Sequence, residues 1–193
     1  MRLFELAQPL KEAKNDTVVF TFGRFNPPTI GHQKLVERVQ EVAQNANADH
    51  VIFLSQTHKP GKDPLPYNDK ISLFKKMFPT VNVSNKAIVK NPYMAMEELG
   101  KKYKNVIMVV GSDRVERFKG DMQKYLPEWG IENFDVVSAG ERDPDAEGAE
   151  GMSASKARQL ATDGNFAEFS KALPSSINNA TKKIVYNTIR KNS

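Results

Sequence analysis

Apolar residues recur along this chain in two rhythms. Short, unbroken runs rich in Val and Ile fall at 18–22, 51–54, 81–83, 106–110 and 134–137, spaced too far apart to pair as hairpins. Runs of that kind, without polar alternation, suit strands buried on both faces of a parallel sheet. Between them the spacing changes to the i, i+3, i+4 pattern of amphipathic helices, over 30–46, 67–78 and 94–103 and within 114–125. The alternation predicts βαβ units, and so an α/β fold built on an open parallel sheet of about five strands with flanking helices. After the fifth run, 141–151 carries five acids (Glu141, Asp143, Asp145, Glu147, Glu150) against Arg142, two glycines and no apolar period, which predicts a mobile surface loop. Helical patterns at 155–162 and 177–190, with a shorter turn over 166–173, then predict a C-terminal helical extension. At the other end Leu3, Leu6, Ala7, Leu10 and Ala13 form a weak apolar stripe that stops at Asn15-Asp16. The chain thus divides into an N-terminal extension, 1–16, plausibly helical, and a single domain, 17–193, without internal repeats.

Composition narrows the chemistry. A chain of 193 residues, 39% hydrophobic and 26% charged, falls in the range of one soluble globular domain. No window approaches the roughly 20 apolar residues of a membrane helix, and Glu5 interrupts the only candidate for a secretory core, so a cytoplasmic location is expected. The absence of cysteine excludes disulfides, thiolate metal sites and cysteine nucleophiles. The net charge is +5, and from Lys156 onward seven basic residues face only Asp163 and Glu168. A solvated helix face accounts for that surplus, as does an anionic ligand. The aromatic and glycine pattern of an RNA-binding sheet is missing, so a nucleic-acid module is not expected.

The most informative stretch is Gly23-Arg24-Phe25-Asn26-Pro27-Pro28-Thr29-Ile30-Gly31-His32. It follows the first predicted strand and opens the first predicted helix. A turn in that position brings backbone N–H groups and the positive end of a helix dipole together, which suits phosphate. Gly31 permits close backbone approach, and His32 can donate a hydrogen bond to a phosphate oxygen. Far along the chain, Met152-Ser153-Ala154-Ser155-Lys156-Ala157-Arg158 reads as a second helix start, with Ser153 as N-cap and Arg158 as a cationic fork. Between the two, Gly111-Ser112-Asp113-Arg114 ends the fourth apolar run, where ligands of open α/β sheets gather.

Thr29-Ile30-Gly31-His32 resembles the His/Thr-x-Gly-His signature of the nucleotidyltransferases with a Rossmann-like fold, and 152–158 resembles their Ile-Ser-Ser-Thr-x-x-Arg motif. Gly23-Arg24-Phe25-Asn26-Pro27 is most similar to the Gly-Arg-Phe-Gln-Pro form found in one group of nicotinamide mononucleotide adenylyltransferases. The resemblance covers roughly 17–174. It implies that His32 and Arg158 are the catalytic groups and that Gly23, Arg24, Phe25, Asn26, Thr29, Gly31, Gly111, Asp113, Ser153 and Ser155 line the nucleotide site. Thr29 stands where histidine is commoner, and Ser155 where threonine is.

By the same resemblance Lys70, together with the loop from His58 to Asp63, falls where relatives bind the second substrate; Arg114 and Arg117 suit contacts to an acceptor phosphate and surface salt bridges equally. The implied reaction moves AMP from ATP to nicotinamide mononucleotide, giving NAD and pyrophosphate, with Mg²⁺ bound mainly through the triphosphate. A cytidylyltransferase acting on a phosphorylated alcohol or sugar shares both motifs, and a nucleotide-binding structural or regulatory protein without turnover shares the fold. Neither His50 nor His58 has companions at metal-ligand spacing, so no protein metal site is expected. His50, Met94, Met96 and Trp129 read as packing residues. Relatives range from monomer to hexamer, so a homo-oligomer is compatible with the family.

The extension has one further resemblance. Leu10-Lys11-Glu12-Ala13 is similar to the Leu-x-Glu-Ala sites cut by prohead proteases of some tailed bacteriophages, against the plainer reading of a helix on the domain's flank. The resemblance implies a phage-encoded enzyme, working in the host cytoplasm and associated with the capsid through this tag. N-terminal sequencing of the virion-associated protein tests it: cleavage within Leu10 to Ala13 is the expected outcome, and an intact N-terminus overturns it.

Overall fold

A computed structural model describes residues 15–140 and 151–193. The expected N-terminal helix and the acidic loop therefore lie outside the described residues, except for Asn15, Asp16 and Gly151. Asn15 and Asp16 tie the start of the domain down. The Asn15 amide donates to the Asn47 carbonyl at 2.7 Å, and the Asp16 carbonyl accepts from the N–H groups of Lys104 and Asn105.

Four of the five apolar runs form one fully parallel sheet, with β1 at Thr17–Gly23, β2 at Asp49–Leu54, β3 at Asn105–Val110 and β4 at Asn133–Ser138, in the order β2-β1-β3-β4. The fifth run does not become a strand. Residues 81–83 make a single parallel bridge, Val83 to Ile52, on the free edge of β2. Ile52 N–H donates to the Asn82 carbonyl and Ser84 N–H to the Ile52 carbonyl, while Asn82 N–H turns to Nε2 of His50 at 3.4 Å. Three residues hemmed in by turns are too few to extend a ladder, so the sheet has four strands. His50, expected just before a strand, is the second residue of β2 and meets this edge segment.

The period of two along each strand sends alternate side chains to opposite faces. Helices α1 (Gln33–Asn45) and α2 (Tyr67–Met77) cover Val19, Ile52, Leu54 and Val109 on one face. Helices α3 (Pro92–Gly100), α4 (Val115–Gln123) and α5 (Leu126–Trp129) cover Val18, Phe20, Val106, Met108 and Val136 on the other. Helix α3 starts two residues before the expected position because Asn91 caps it, accepting from Met94 N–H at 2.9 Å, with Pro92 at the first helical position. Trp129 anchors α5 by stacking on Tyr125 at 5.4 Å and meeting Tyr93 edge-on at 6.3 Å.

The C-terminal extension is helical, with α6 at Ala154–Thr162, α7 at Phe166–Lys171 and α8 at Asn179–Lys191. These three helices share a core of their own with Leu73 and Met77 of α2. Lys182 is buried there with its ammonium donating to the carbonyls of Ser170 and Leu173. The Ile30 N–H donates to the Ala172 carbonyl at 2.9 Å, which joins this layer to the turn after β1. From β1 the chain crosses to β2 on one side, and it returns to β3 on the other. The carboxyl ends of β1 and β3 therefore border a topological switch point, where open α/β sheets take ligands.

Close packing makes one glycine of α3 indispensable. A Cβ added at Gly100 would sit 2.0 Å from the Trp129 carbonyl oxygen and 3.2 Å from the Ile131 side chain. Since the first of these is backbone, α3 and α5 must part to admit it. Gly100→Ala is expected to destabilise the domain by about 2 kcal/mol in urea denaturation, although alanine favours helix.

Candidate nucleotide site

The turn after β1 is built from the inside outward. Phe25 has a left-handed backbone (φ 45°) and folds its ring back over Gly23, where an added Cβ would lie 2.5 Å from that ring. Only glycine fits beneath it. The ring is buried against Phe74 at 4.9 Å and against the His32 imidazole at 4.8 Å. Asn26 is buried too, and its side-chain amide closes a two-way clamp on the backbone of Leu65. Nδ2 donates to the Leu65 carbonyl at 3.1 Å, and Oδ1 accepts from the Leu65 N–H at 2.9 Å. The side chain offered by sequence as a nucleotide ligand is spent on holding the chain after β2.

Thr29 has a comparable outcome. It is fully buried, its hydroxyl donates to the Met152 carbonyl at 2.7 Å, and its N–H donates to Nδ1 of His32 at 3.0 Å. A nitrogen that accepts from a backbone N–H carries no proton of its own, so in the neutral imidazole the proton lies on Nε2. Thr29 is thus a structural tie that sets the tautomer of His32, and it does not reach the cavity.

The second motif is drawn against the first. Ser153 caps α6, its Oγ accepting from Lys156 N–H at 3.1 Å. Arg158, one turn on, donates to the Asn26 carbonyl at 2.6 Å and to Ser155 Oγ at 3.0 Å. Two hydrogen bonds, Thr29 to Met152 and Arg158 to Asn26, therefore join segments more than 120 residues apart. Burial lowers the Arg158 pKa, Asp63 opposes that shift, and Arg24 adds to it. Arg24 and Arg158 accordingly stand within electrostatic range of each other as two cations, an arrangement that favours an anion.

Beside this turn, at the switch point, opens a cavity of about 780 Å³. Its floor is the end of β1 (Thr21, Phe22, Gly23) with Phe25, and one wall is Ile30 to Leu35 with Glu37. The opposite wall is Val110 to Arg114, Phe118 and the exit of β4 at Ala139 and Gly140. Of the residues singled out by sequence, Gly23, Phe25, Gly31, His32, Gly111, Asp113 and Arg114 line it. Asp113 lies exposed, 3.6 Å from the Arg114 guanidinium, and crowds Gly111 so closely that an added Cβ there would meet its carboxylate at 2.7 Å. Arg24, Ser153, Ser155 and Arg158 do not line this cavity. Sequence reading missed Phe22, Lys34, Glu37, Phe118 and Gly140. Gly140 follows β4 and was findable by the strand-end rule that found Gly111. Phe118 sits in a helix whose period identified its buried face without indicating what that face borders.

Two of the acceptor contacts expected from sequence, Lys70 and Arg117, lie away from the cavity. Lys70 is wholly buried, and its ammonium donates to three backbone carbonyls, those of Ser55, Arg24 and Thr57. It staples the β1 exit to the β2 exit and has no contact to offer a substrate. Arg117 lies on the exposed face of α4, paired with Asp121 at 3.4 Å, and does not line the cavity.

A model of the cytidylyltransferase-like family matches residues 20–160. The chain belongs to the cytidylyltransferase-like family. Among solved structures, this family member is similar to Thermotoga maritima TmcAL bound with alpha-thio ATP, at 12% identity and a TM-score of 0.53. That match covers 91% of this chain and 56% of the other, so the chain spans little more than half the length of that neighbour. The likeness shows a common fold. No curated protein matches the sequence.

For a magnesium ion the cytidylyltransferase-like site offers little protein chelation. Among the described residues no three carboxylates or histidines converge as a metal cage. The cavity wall carries Asp113 and Glu37, one on each side. Magnesium keeps most of its waters and needs few protein ligands when phosphates supply the rest, so Asp113 and a bound triphosphate would suffice to hold it.

The Lys70 staple has a pH signature. Burial pushes its ammonium down from the ordinary 10.5 to about 8, with Asp63 opposing the shift. Below pH 8 both folded and unfolded states are protonated and the cost of burying the charge is present in full. Above it the unfolded chain binds the extra proton, so stability rises with pH. Denaturation midpoints are expected to climb from pH 8 toward pH 10, with a full gain of up to about 3 kcal/mol. Lys70→Met is expected to remove most of that slope, leaving the smaller share that the buried Lys182 contributes.

Proposed function

We propose that the protein is a nucleotidyltransferase that moves AMP from ATP to a phosphorylated small molecule, nicotinamide mononucleotide, to give NAD and pyrophosphate. The observation that carries the reading is the joint between the two motifs. His32, with its proton assigned to Nε2, lines the cavity, while Arg24 and Arg158 flank the same turn as a pair of cations. Cationic groups at the turn, next to a histidine that lines the cavity, support the reading of a triphosphate bound there.

In the reaction a phosphate oxygen of the acceptor attacks the α-phosphorus, the bond from that phosphorus to the bridging oxygen breaks, and pyrophosphate leaves with the electron pair. No protein nucleophile is needed, which agrees with a chain lacking cysteine. Alignment and charge neutralisation carry such transfers. His32 donates to a phosphate oxygen as charge builds, and Arg158 and Arg24 hold the departing pyrophosphate. The chemistry that a magnesium ion supplies when bound with the triphosphate is further neutralisation of phosphate charge.

The choice of ATP draws support from the ligand named for the Thermotoga neighbour, and the acceptor from the Gly23 to Pro27 pentapeptide. CTP with a phosphorylated alcohol or sugar is the second reading, favoured by the name of the matching family.

Pyrophosphate release measured across ATP and CTP, each with nicotinamide mononucleotide and with phosphorylated alcohols and sugars, separates the two. Release with ATP and nicotinamide mononucleotide is the expected result. Nucleotide binding without release from any pair would overturn the enzyme reading in favour of a binding protein. His32→Ala is expected to lower turnover ~100-fold, on the order of 3 kcal/mol for one such donor, with the circular dichroism spectrum unchanged. Near-normal turnover would remove His32 from the mechanism.

A further inference from the structure

Arg24 and Arg158 do not line the cavity, yet the bond that a nucleotidyl transfer breaks is at the α-phosphorus, next to the nucleoside. With a nucleoside in the cavity, the charge that builds on that phosphorus calls for a cation inside the cavity as well as His32. Among the described residues two further cationic side chains line it, Lys34 on the α1 wall and Arg114 opposite. The Arg114 guanidinium already stands 3.6 Å from the Asp113 carboxylate. Lys34 lies in the first turn of α1, two residues beyond His32.

The course of the Lys34 side chain is set by the exit of β4. One turn further along α1, Arg38 ties the helix to that exit: its Nε donates to the Ser138 carbonyl at 3.3 Å, and its Nη1 to Glu41 at 2.8 Å. Residues four apart share a helix face, so Lys34 leaves α1 on the same side. It lies over Gly140, where an added Cβ would stand 3.2 Å from Lys34 Cε and 3.5 Å from Nζ. Gly140 has a left-handed backbone (φ 92°), donates to Ser138 Oγ at 2.9 Å, and accepts from the Ser112 N–H at 3.4 Å. The ammonium therefore reaches from α1 to the exits of β3 and β4, and a side chain at 140 would push it off that path. A lysine so placed offers a compact charge with three donors, which suits a phosphate oxygen.

The geometry points to Lys34 as a catalytic cation that binds the α-phosphate inside the cavity, beside His32, while the β- and γ-phosphates extend to Arg24 and Arg158. This rests on the nucleotidyltransferase reading. The acceptor oxygen bonds to the α-phosphorus, the bond to the bridging oxygen breaks, and pyrophosphate takes the electron pair. Lys34 neutralises the charge on the non-bridging α-oxygens as this happens. Gly140 is a positioning residue: it acts through Lys34, by leaving the path of that side chain open.

Calorimetric titration of the full chain with AMP and CMP, and with adenosine and cytidine, reads the contact without turnover. Lys34→Ala is expected to bind the preferred monophosphate roughly tenfold more weakly and its nucleoside as before, with Lys34→Arg recovering most of the loss. Equal losses for nucleoside and monophosphate, or no loss for either, overturn the proposal, as does the absence of monophosphate binding by the unaltered chain. Lys34 is exposed on α1, so this test does not depend on a core substitution. Gly140→Ala is expected to weaken monophosphate binding in the unaltered chain and to change nothing further in a Lys34→Ala background. Backbone strain from the alanine is common to both arms of that cycle, so equal losses in both overturn the part given to Gly140. In pyrophosphate release from ATP and nicotinamide mononucleotide, Lys34→Ala is expected to lower kcat ~100-fold. If the unaltered chain turns over and Lys34→Ala does so at full rate, the enzyme reading stands and the role of Lys34 is rejected. If no pair yields pyrophosphate while Lys34→Ala still loses the monophosphate alone, the enzyme reading fails and the phosphate contact stands.

Discussion

The hydroxyl of Thr29, donating to the carbonyl of Met152, is the contact on which the arrangement of the site depends. It fastens the turn after β1 to the residue just before the N-cap of α6, and the Arg158 bond to Asn26 closes the same joint from the helix side. The first bond is buried, where a neutral hydrogen bond resists competition and an orphaned carbonyl is costly, and the second is part-buried and charge-assisted. Because the Thr29 N–H also fixes the tautomer of His32, one residue sets the distance between the motifs and the chemistry of the imidazole.

Several polar side chains that look like ligands are instead spent on construction. Asn26, Thr29 and Lys70 are each almost fully buried and satisfy backbone groups of the turns that surround the site. The chain exits of an open parallel sheet leave carbonyls and N–H groups without ladder partners, and something must satisfy them. Lys70 does so for the exits of β1 and β2 at once, at the expense of a depressed pKa. Of the other polar residues singled out by sequence, His32 and Asp113 line the cavity, and Arg24 and Arg158 do not.

The helical extension is part of this machinery. Helices α6, α7 and α8 share a core with α2 that is separate from the two cores on the sheet faces. That core anchors the start of α6, and with it Ser153 and Arg158. The end of α8 reaches back to grip Gly61 and Pro64, so the loop that carries Asp63 is held by the last residues of the chain. Position at this site is therefore transmitted between segments remote in sequence by backbone contacts.

Much of the architecture was legible in the residues. Unbroken apolar runs located four strands within two residues of their ends, and periodicity placed the helices, because burial on two faces or on one is a local demand that each segment expresses by itself. The exception, 81–83, had the right residues without enough length to sustain a ladder, and only its neighbours decide that. The two motifs and the strand-end Gly111 to Asp113 were likewise readable, since each is a short segment with fixed chemistry. What the sequence did not contain was the direction each polar side chain takes. Asn26, Thr29 and Lys70 turn inward because carbonyls and N–H groups from distant segments happen to need them there, and Arg117 turns outward because α4 presents it to solvent. Hydrogen-bond demand of that kind arises only when the chain exits are brought together, and so it belongs to the tertiary structure.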